Sequence, residues 1–309
     1  VTEPAGADPP PTIGVVGLGN IGGAIAANLA ADGLAPTVTD ADPARAGAIE
    51  GATAVGSVAE VAAAAEVTIT SLPTPEVVAA VADAWAGAAA PGSILLDLST
   101  NLPDGNRLLA ERLAASGHRF VEAPLTGGAV GARGRTLVFM VGGEPEAVDR
   151  VRPVLDRLGR ATFHLGPVGA GTTMKLVNSL LAFTSTWSSL EGLSMAAAAG
   201  IDLRTAVEVV RTGGASNFYI DRVVEGIGVR DRPVQFALSL AAKDARLIDE
   251  LAQASGVPAP VAGALAEVLG DAVDRGLGEH DWGDLVVAAE ARSGQPLHLR
   301  PPDEEEPTS

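Results

Sequence analysis

The chain has 309 residues, 47% of them hydrophobic, and a formal net charge of −17, which is length enough for two domains with cores of their own. The acidic balance opposes binding to nucleic acid phosphates or anionic membranes. The absence of cysteine removes disulfides, thiolate nucleophiles and cysteine-based zinc sites together. His118, His164, His280 and His298 form no i, i+4 pair, so no metal site is expected either.

Val1 to Pro11 has neither a basic start nor an apolar stretch. It reads as a disordered Pro-rich arm and not a signal peptide, which points to the cytoplasm. Thr12-Ile13-Gly14-Val15-Val16 is a short strand-like run, followed at once by Gly17-Leu18-Gly19-Asn20-Ile21-Gly22-Gly23 and an Ala-rich helical pattern to Asp32. A G-x-G-x-x-G alone says little, but between a strand and a helix it has the context that dinucleotide binding requires. The first glycine makes the turn, the second lets backbone approach a pyrophosphate, and the third packs helix on strand. The helix N-terminus then faces the anion.

A second strand, Thr37 to Thr39, ends at Asp40, 21 residues after Gly19. A carboxylate there accepts hydrogen bonds from the ribose hydroxyls and repels a 2′-phosphate, so NAD is favoured over NADP. Arg45 dissents: from the next short helix it is within reach of a 2′-phosphate, although an exposed charge is its simpler reading. Alternation continues with strands at Val67–Ser71, Ser93–Asp97 and His118–Glu122 and helices at Glu76–Trp85 and Pro103–Ser116, the pattern of a parallel doubly wound sheet. Leu72-Pro73 and Thr100 sit just past strand C-termini, the edge where such sheets bind ligands; ordinary turn chemistry is the competing explanation.

Glu122 to Ala132 contains Thr126-Gly127-Gly128, a turn whose glycines can gather several N–H groups into one concavity for a carboxylate, with the Thr126 hydroxyl as a further donor. Strands at Thr136–Val141 and Ala161–Leu165 around a helix at Pro145–Leu158 complete a dinucleotide-binding domain spanning residues 12–168. A long helix within 169–199 follows. Leu176, Leu180, Phe183, Trp187 and Leu190 make one apolar row on it and Met174, Val177 and Leu181 a second, so it is expected to be buried on most sides. Its uncharged part is too short and too rich in Ser and Thr to span a membrane.

Among 21 basic residues only Lys175 and Lys243 are lysine. An ammonium can shed its proton when desolvated, whereas a guanidinium cannot. Lys175 and Asn178, three residues apart, project from one face near the start of the long helix. Burial and the positive end of the helix dipole both favour the neutral amine there. Residues 200–296 read as helices only: Leu203–Arg211, Phe218–Ile227, Val234–Ser255, Ala259–Arg275 and Trp282–Ala291, with Asp202 and Asp281 as N-caps. Lys243-Asp244 falls inside the longest of these, where a solvated surface pair is the plain expectation. Residues 297–309 form a polar, acidic tail.

Four blocks in this order, Gly17 to Leu29 (GLGNIGGAIAANL), Asp97 to Pro103 (DLSTNLP), Glu122 to Ala132 (EAPLTGGAVGA) and Gly169 to Leu180 (GAGTTMKLVNSL), with Lys243-Asp244 behind them, resemble the β-hydroxyacid dehydrogenase family, which includes 3-hydroxyisobutyrate dehydrogenases and tartronate semialdehyde reductases. The resemblance covers roughly Thr12 to Ala291. It implies an α/β protein with an N-terminal Rossmann-type doubly wound parallel sheet, a long interdomain helix and an all-α C-terminal domain. It further implies that Lys175 is the catalytic acid/base, that Asn178 helps hold the substrate, and that Thr126, Gly127 and Gly128 bind its carboxylate. Leu72, Pro73, Thr100 and Lys243 are then cofactor contacts beside Gly17, Leu18, Gly19, Asn20, Ile21, Gly22 and Asp40, and the protein is a homodimer or homotetramer. Lys243 is expected to reach the same cleft as Lys175.

Three departures bear on substrate choice. The family usually has Asp at Glu122, Ser at Thr126 and Asn at Ser179, and the added methyl of Thr126 reshapes the carboxylate site. The expected activity is reversible hydride transfer between a nicotinamide cofactor and a small 3-hydroxy acid or its semialdehyde. Three alternatives differ in observable ways. An imine reductase of similar fold typically replaces the lysine, a decarboxylating sugar-phosphate dehydrogenase has a larger helical domain, and a non-enzymatic NAD-binding regulator binds NADH without turnover.

Overall fold

The computed structural model describes residues 10–229 and 232–299. Residues 1–9 of the expected arm (1–11) and residues 300–309 of the expected tail (297–309) lie outside the described residues; within the described part of the tail, Leu297 is buried and its N–H donates to Glu290 Oε1 (2.8 Å). The chain divides into two compact units, the first ending at Leu176 and the second beginning at Val177.

The first unit runs β1 (Ile13–Val16), α1 (Gly22–Ala31), β2 (Thr37–Thr39), α2 (Pro43–Gly47), β3 (Thr53–Ala54), α3 (Val58–Ala64), β4 (Val67–Thr70), α4 (Pro75–Ala86), β5 (Ile94–Asp97), α5 (Pro103–Ala115), β6 (Arg119–Glu122), β7 (Leu125–Thr126), α6 (Gly128–Arg133), β8 (Leu137–Gly142), α7 (Pro145–Leu158) and β9 (Gly159–Gly166), before α8 (Ala170–Ala198) begins. The strands lie in the order β3-β2-β1-β4-β5-β6-β8-β7, with β9 paired to β8. From β3 to β6 every pairing is parallel.

Side-chain alternation along β5 shows why helices cover both faces. Ile94 and Leu96 join a buried cluster with Ile25 and Leu29 of α1 and Val151 and Leu155 of α7. Leu95, between them, packs instead with Val78 and Trp85 of α4 and Leu109 and Leu113 of α5. At roughly 1.5–3 kcal/mol for each large apolar side chain removed from water, the two faces hold the sheet between its helices. Caps fix the helix starts: Ser57 accepts from Glu60 N at the head of α3, and Thr74 accepts from Val77 N at the head of α4, which opens on Pro75.

The structure departs from the expected parallel sheet at its far side. β8 is antiparallel to both β6 and β7, because the chain turns back through the short β7 and α6 instead of crossing over. The glycine-rich segment is thus half strand and half helix, not one turn. β3 and α3 lie where no element was expected, in an alanine-rich stretch without clear period; the Ser57-x-x-Glu60 capping box was its one legible mark.

The second unit contains α8 from Val177 onward, α9 (Leu203–Thr212), α10 (Phe218–Gly228), α11 (Leu238–Ser255), α12 (Pro260–Ala272) and α13 (Leu285–Ser293). Asp202 and Asp281 act as N-caps, accepting from Thr205 N and Gly283 N. Asp281 also explains why α11 starts at Leu238 and not at Val234. Its Oδ2 takes the N–H groups of Gln235 (2.7 Å) and Phe236 (3.2 Å), which holds that segment in a bend ahead of the helix. Phe236 then stacks in a cluster with Phe183 and Trp282, whose rings lie 4.7 Å apart. Along α8, Leu176, Phe183, Trp187 and Leu190 are buried as expected, but Met174, Val177 and Leu181 are exposed in the single chain. Among the described residues no helix is long and apolar enough to cross a membrane.

Candidate active site

β1 is the point where the strand order reverses, since the chain adds β2 and β3 on one side before returning to β4 on the other. In such sheets the crevice at the carboxyl ends of these strands is the ligand site. The loop after β1 is built for close approach. Gly17 has φ +88°, and a Cβ there would overlap the Ser71 carbonyl oxygen and lie 2.9 Å from Leu72 Cδ2. A Cβ at Gly22 would overlap the Gly17 carbonyl oxygen, so α1 begins directly on the loop. Gly19 differs: a Cβ there would meet nothing nearer than Arg45 Nη1, 3.9 Å away. The space over Gly19 is therefore open to a ligand and not filled by the protein, which fits a dinucleotide's phosphates.

Asp40 follows β2 and is fixed by two backbone donors, Leu18 N to Oδ2 (2.6 Å) and Asp42 N to Oδ1 (2.9 Å). Its carboxylate therefore borders the glycine loop. Arg45 is exposed and sits 3.7 Å from Asp42. Gly19 and Asn20 are exposed, Ile21 half-buried. Leu72 lies over Gly17, and its N–H donates to Ser99 Oγ at 3.0 Å, which joins the loop after β4 to the loop after β5 that holds Thr100. Pro73 is exposed and Thr100 half-buried.

Thr126 ends β7 half-buried, and Gly127 (φ +120°) and Gly128 carry the chain into α6. Three contacts tie the far end of α6 to α1 and its C-cap: Asn28 Nδ2 donates to Ala132 O (2.8 Å), Arg135 Nη1 donates to both oxygens of Asp32 (2.8 and 2.9 Å), and Arg135 Nη2 donates to Asn28 O (3.1 Å). The glycine loop at the head of α1 and the helix α6 that follows Gly127 are thus joined through one helix.

Two segments of the chain match family models. Residues 12–166 match the NAD binding domain of 6-phosphogluconate dehydrogenase, and residues 169–288 match the NAD-binding domain of NADP-dependent 3-hydroxyisobutyrate dehydrogenase. A 3-hydroxyisobutyrate dehydrogenase of Pseudomonas aeruginosa is 35% identical over 269 residues, covering 83% of this chain and 90% of that protein. The chain belongs to the β-hydroxyacid dehydrogenase family.

A 2-(hydroxymethyl)glutarate dehydrogenase of Eubacterium barkeri is 30% identical over 288 residues, 91% of this chain and 96% of that protein. A solved Mycobacterium tuberculosis 3-hydroxyisobutyrate dehydrogenase with L-serine superposes with a TM-score of 0.81 at 28% identity, covering 90% and 99% of the two chains. The protein is an NAD(P)-dependent dehydrogenase acting on the CH–OH group of hydroxy acids.

In this dehydrogenase Lys175 is half-buried in the second turn of α8, with Asn178 one turn further on, also half-buried. Lys243 is not a solvated surface charge. Its side chain is 13% exposed and its ammonium lies 2.8 Å from Oδ1 of Asp244, whose side chain is 5% exposed.

Sequence reasoning missed a buried polar network at the carboxyl edge of the sheet. Asp97, which ends β5, accepts from Thr70 Oγ1 (2.8 Å), Ser99 Oγ (2.6 Å), Ser99 N (3.2 Å) and Asn101 Nδ2 (2.8 Å). Burial pushes its carboxyl above the ordinary range, the hydrogen bonds from Ser99 and Thr70 oppose that, and the nearby Glu122 adds to it. The legible signal was a carboxylate closing a strand directly after an apolar run, Asp97 after Ile94-Leu95-Leu96 and Glu122 after Phe120-Val121.

Proposed function

We propose that the protein oxidises and reduces the primary alcohol of 2-substituted 3-hydroxypropanoates, with Lys175 as general acid/base and NAD favoured over NADP. The observation that carries this reading is where α8 begins. Gly169 N and Thr172 N both donate to Glu122, the last residue of β6 (2.7 and 3.1 Å), so Lys175 rises from the same carboxyl edge as the glycine loop, Leu72 and Thr100.

The nicotinamide cofactor, when bound, supplies the hydride acceptor or donor. In oxidation the neutral amine of Lys175 takes the hydroxyl proton, and in reduction its ammonium returns it to the forming alkoxide. Asn178, on the same face of α8, orients the hydroxyl. Thr126, Gly127 and Gly128 seat the carboxylate and so select which carbon reacts. Gly17 to Gly22, Asp40, Leu72, Pro73, Thr100 and Lys243 hold the cofactor, and Asp40 disfavours a 2′-phosphate.

The substrate class follows from what 3-hydroxyisobutyrate, 2-(hydroxymethyl)glutarate and serine share. Each carries a CH2OH on the carbon next to a carboxylate, and they differ in the remaining substituent. The test is a panel of these three acids beside 3-hydroxybutyrate, a secondary alcohol, with each of NAD and NADP, followed by absorbance of the reduced cofactor. Turnover of at least one primary alcohol with NAD preferred is expected. Preference for NADP would overturn the role of Asp40, turnover of cyclic imines alone would make this an imine reductase, and NADH binding with no turnover would make it a regulator.

The exposed Met195, Val209 and Phe218 of the second unit, and the Val177–Leu181 row of α8, support a homodimer or homotetramer formed through the helical unit. Sedimentation is expected to give two or four copies per particle at micromolar protein; a monomer would refute it.

A further inference from the structure

We infer that Glu122 is a positioning residue, whose buried carboxylate sets the first turn of α8 and thereby the place of Lys175 relative to the cofactor loops. The inference rests on the reading of Lys175 as the proton carrier. Glu122 is fully buried and accepts four hydrogen bonds, all from outside its own strand. Oε1 takes Gly169 N (2.7 Å) and Thr172 N (3.1 Å), two of the donors that a helix start leaves without intrahelical partners. Oε2 takes Asn106 Nδ2 (2.6 Å) and Thr172 Oγ1 (2.9 Å). A carboxylate at this place also opposes the positive end of the helix dipole.

The surroundings are shaped for this carboxylate. A Cβ at Gly142, the residue paired with Glu122 across the sheet, would overlap Oε1, so only glycine leaves the room. A Cβ at Gly171 would overlap the Met140 carbonyl oxygen, so the helix start lies directly on β8. Lys175 is three residues after Thr172, less than one turn along α8.

The network then runs on to the cofactor side. Asn106 Oδ1 accepts from Asn101 Nδ2 (3.0 Å), Asn101 donates to Asp97, Asp97 accepts from Ser99, and Ser99 Oγ accepts from Leu72 N. One chain of hydrogen bonds, buried as far as Ser99 and partly buried at Leu72, therefore connects the lysine-bearing turn with Leu72 and the segment at Thr100. Since a misplacement of about 1 Å at a reacting group can cost on the order of 100-fold in rate, a shift of this turn is read in turnover before it is read in affinity.

Glu122→Gln tests the assignment. Oε1 faces two backbone donors and Oε2 faces the Asn106 amide donor, so whichever way the new amide turns, an N–H faces another donor. The expected result is a fall in kcat of about 10- to 100-fold, with the dissociation constant for NADH, measured by fluorescence titration, changed less than about threefold. Amide exchange at Gly169 and Thr172 should quicken about tenfold or more. Glu122→Asp keeps the charge and four acceptor sites but draws them back by one methylene, so its turnover should lie between that of Glu122→Gln and the parent. Thr172→Val, which removes one link and keeps the helix N–H, serves if Glu122→Gln does not fold; it should lower kcat about fivefold at unchanged NADH affinity. Wild-type kcat and exchange in whichever of these two variants folds overturns the inference. Loss of NADH binding in proportion to turnover overturns it as well, because that marks a merely structural carboxylate. Lys175→Arg measured beside them separates the two ideas: if it keeps turnover, the lysine reading has failed and not the tether.

Discussion

Lys175→Arg is expected to keep the fold and the affinity for NADH and to lower kcat by about 10³-fold, the middle of the range for removing a general acid/base. That loss corresponds to about 4 kcal/mol of transition-state stabilisation. The substitution keeps a long basic side chain at a half-buried helix position, so packing changes little. What is lost is the ability to hold and release a proton, since guanidinium stays charged at any pH the protein survives. This change is therefore more informative than Lys175→Ala, which removes the volume of the side chain together with its proton-carrying group. Circular dichroism and thermal unfolding should match the parent, and NADH titration should agree within about threefold. A variant that turns over at near the parental rate would show that Lys175 is not the proton carrier, whatever else it does in the site.

The choice of Lys175 came from its rarity and its place, and the structure supplies a physical context for each. A chain with 19 arginines that writes lysine twice uses it at two sites shielded from bulk solvent, the half-buried Lys175 and Lys243 beside the buried Asp244. The glycine loop and the acid after β2 were legible because turn and anion chemistry act within about 20 residues of chain. The passage from a sheet with helices to helices alone was legible because the strand–helix alternation stops. Other features were hidden by being non-local. Nothing near Val234 announces that Asp281, 45 and more residues away, will hold Gln235 and Phe236 out of the helix. Likewise Asn106, Glu122 and Thr172 read separately as a helix residue, a strand end and a helix start, and only the fold brings them within 3 Å of one another. The reversal at β8 was unreadable for a related reason: two-residue strands such as β7 carry too few side chains to show a period.

The same substitution at two glycines of one loop should give opposite results. Gly22→Ala places a methyl on the Gly17 carbonyl oxygen and 3.2 Å from Ser71 Cβ. The obstacle is backbone, which cannot swing aside, so α1 must move off the loop or the loop must deform. Overpacking of this kind costs about 1–3 kcal/mol and occasionally more, and the rigidity of the contact puts Gly22→Ala at the upper end. Thermal unfolding should drop by several degrees without any cofactor present, and NADH affinity should fall with it. Gly19→Ala puts its methyl where the nearest atom is the end of a mobile arginine, 3.9 Å away. Its cofactor-free stability should equal the parent's, while NADH binding weakens about tenfold or more, because the methyl stands where backbone must approach a pyrophosphate. If Gly19→Ala bound NADH normally, the open space above it would not be the phosphate seat. If Gly22→Ala were as stable as the parent, the close seating of α1 on Gly17 would not be a constraint on the fold.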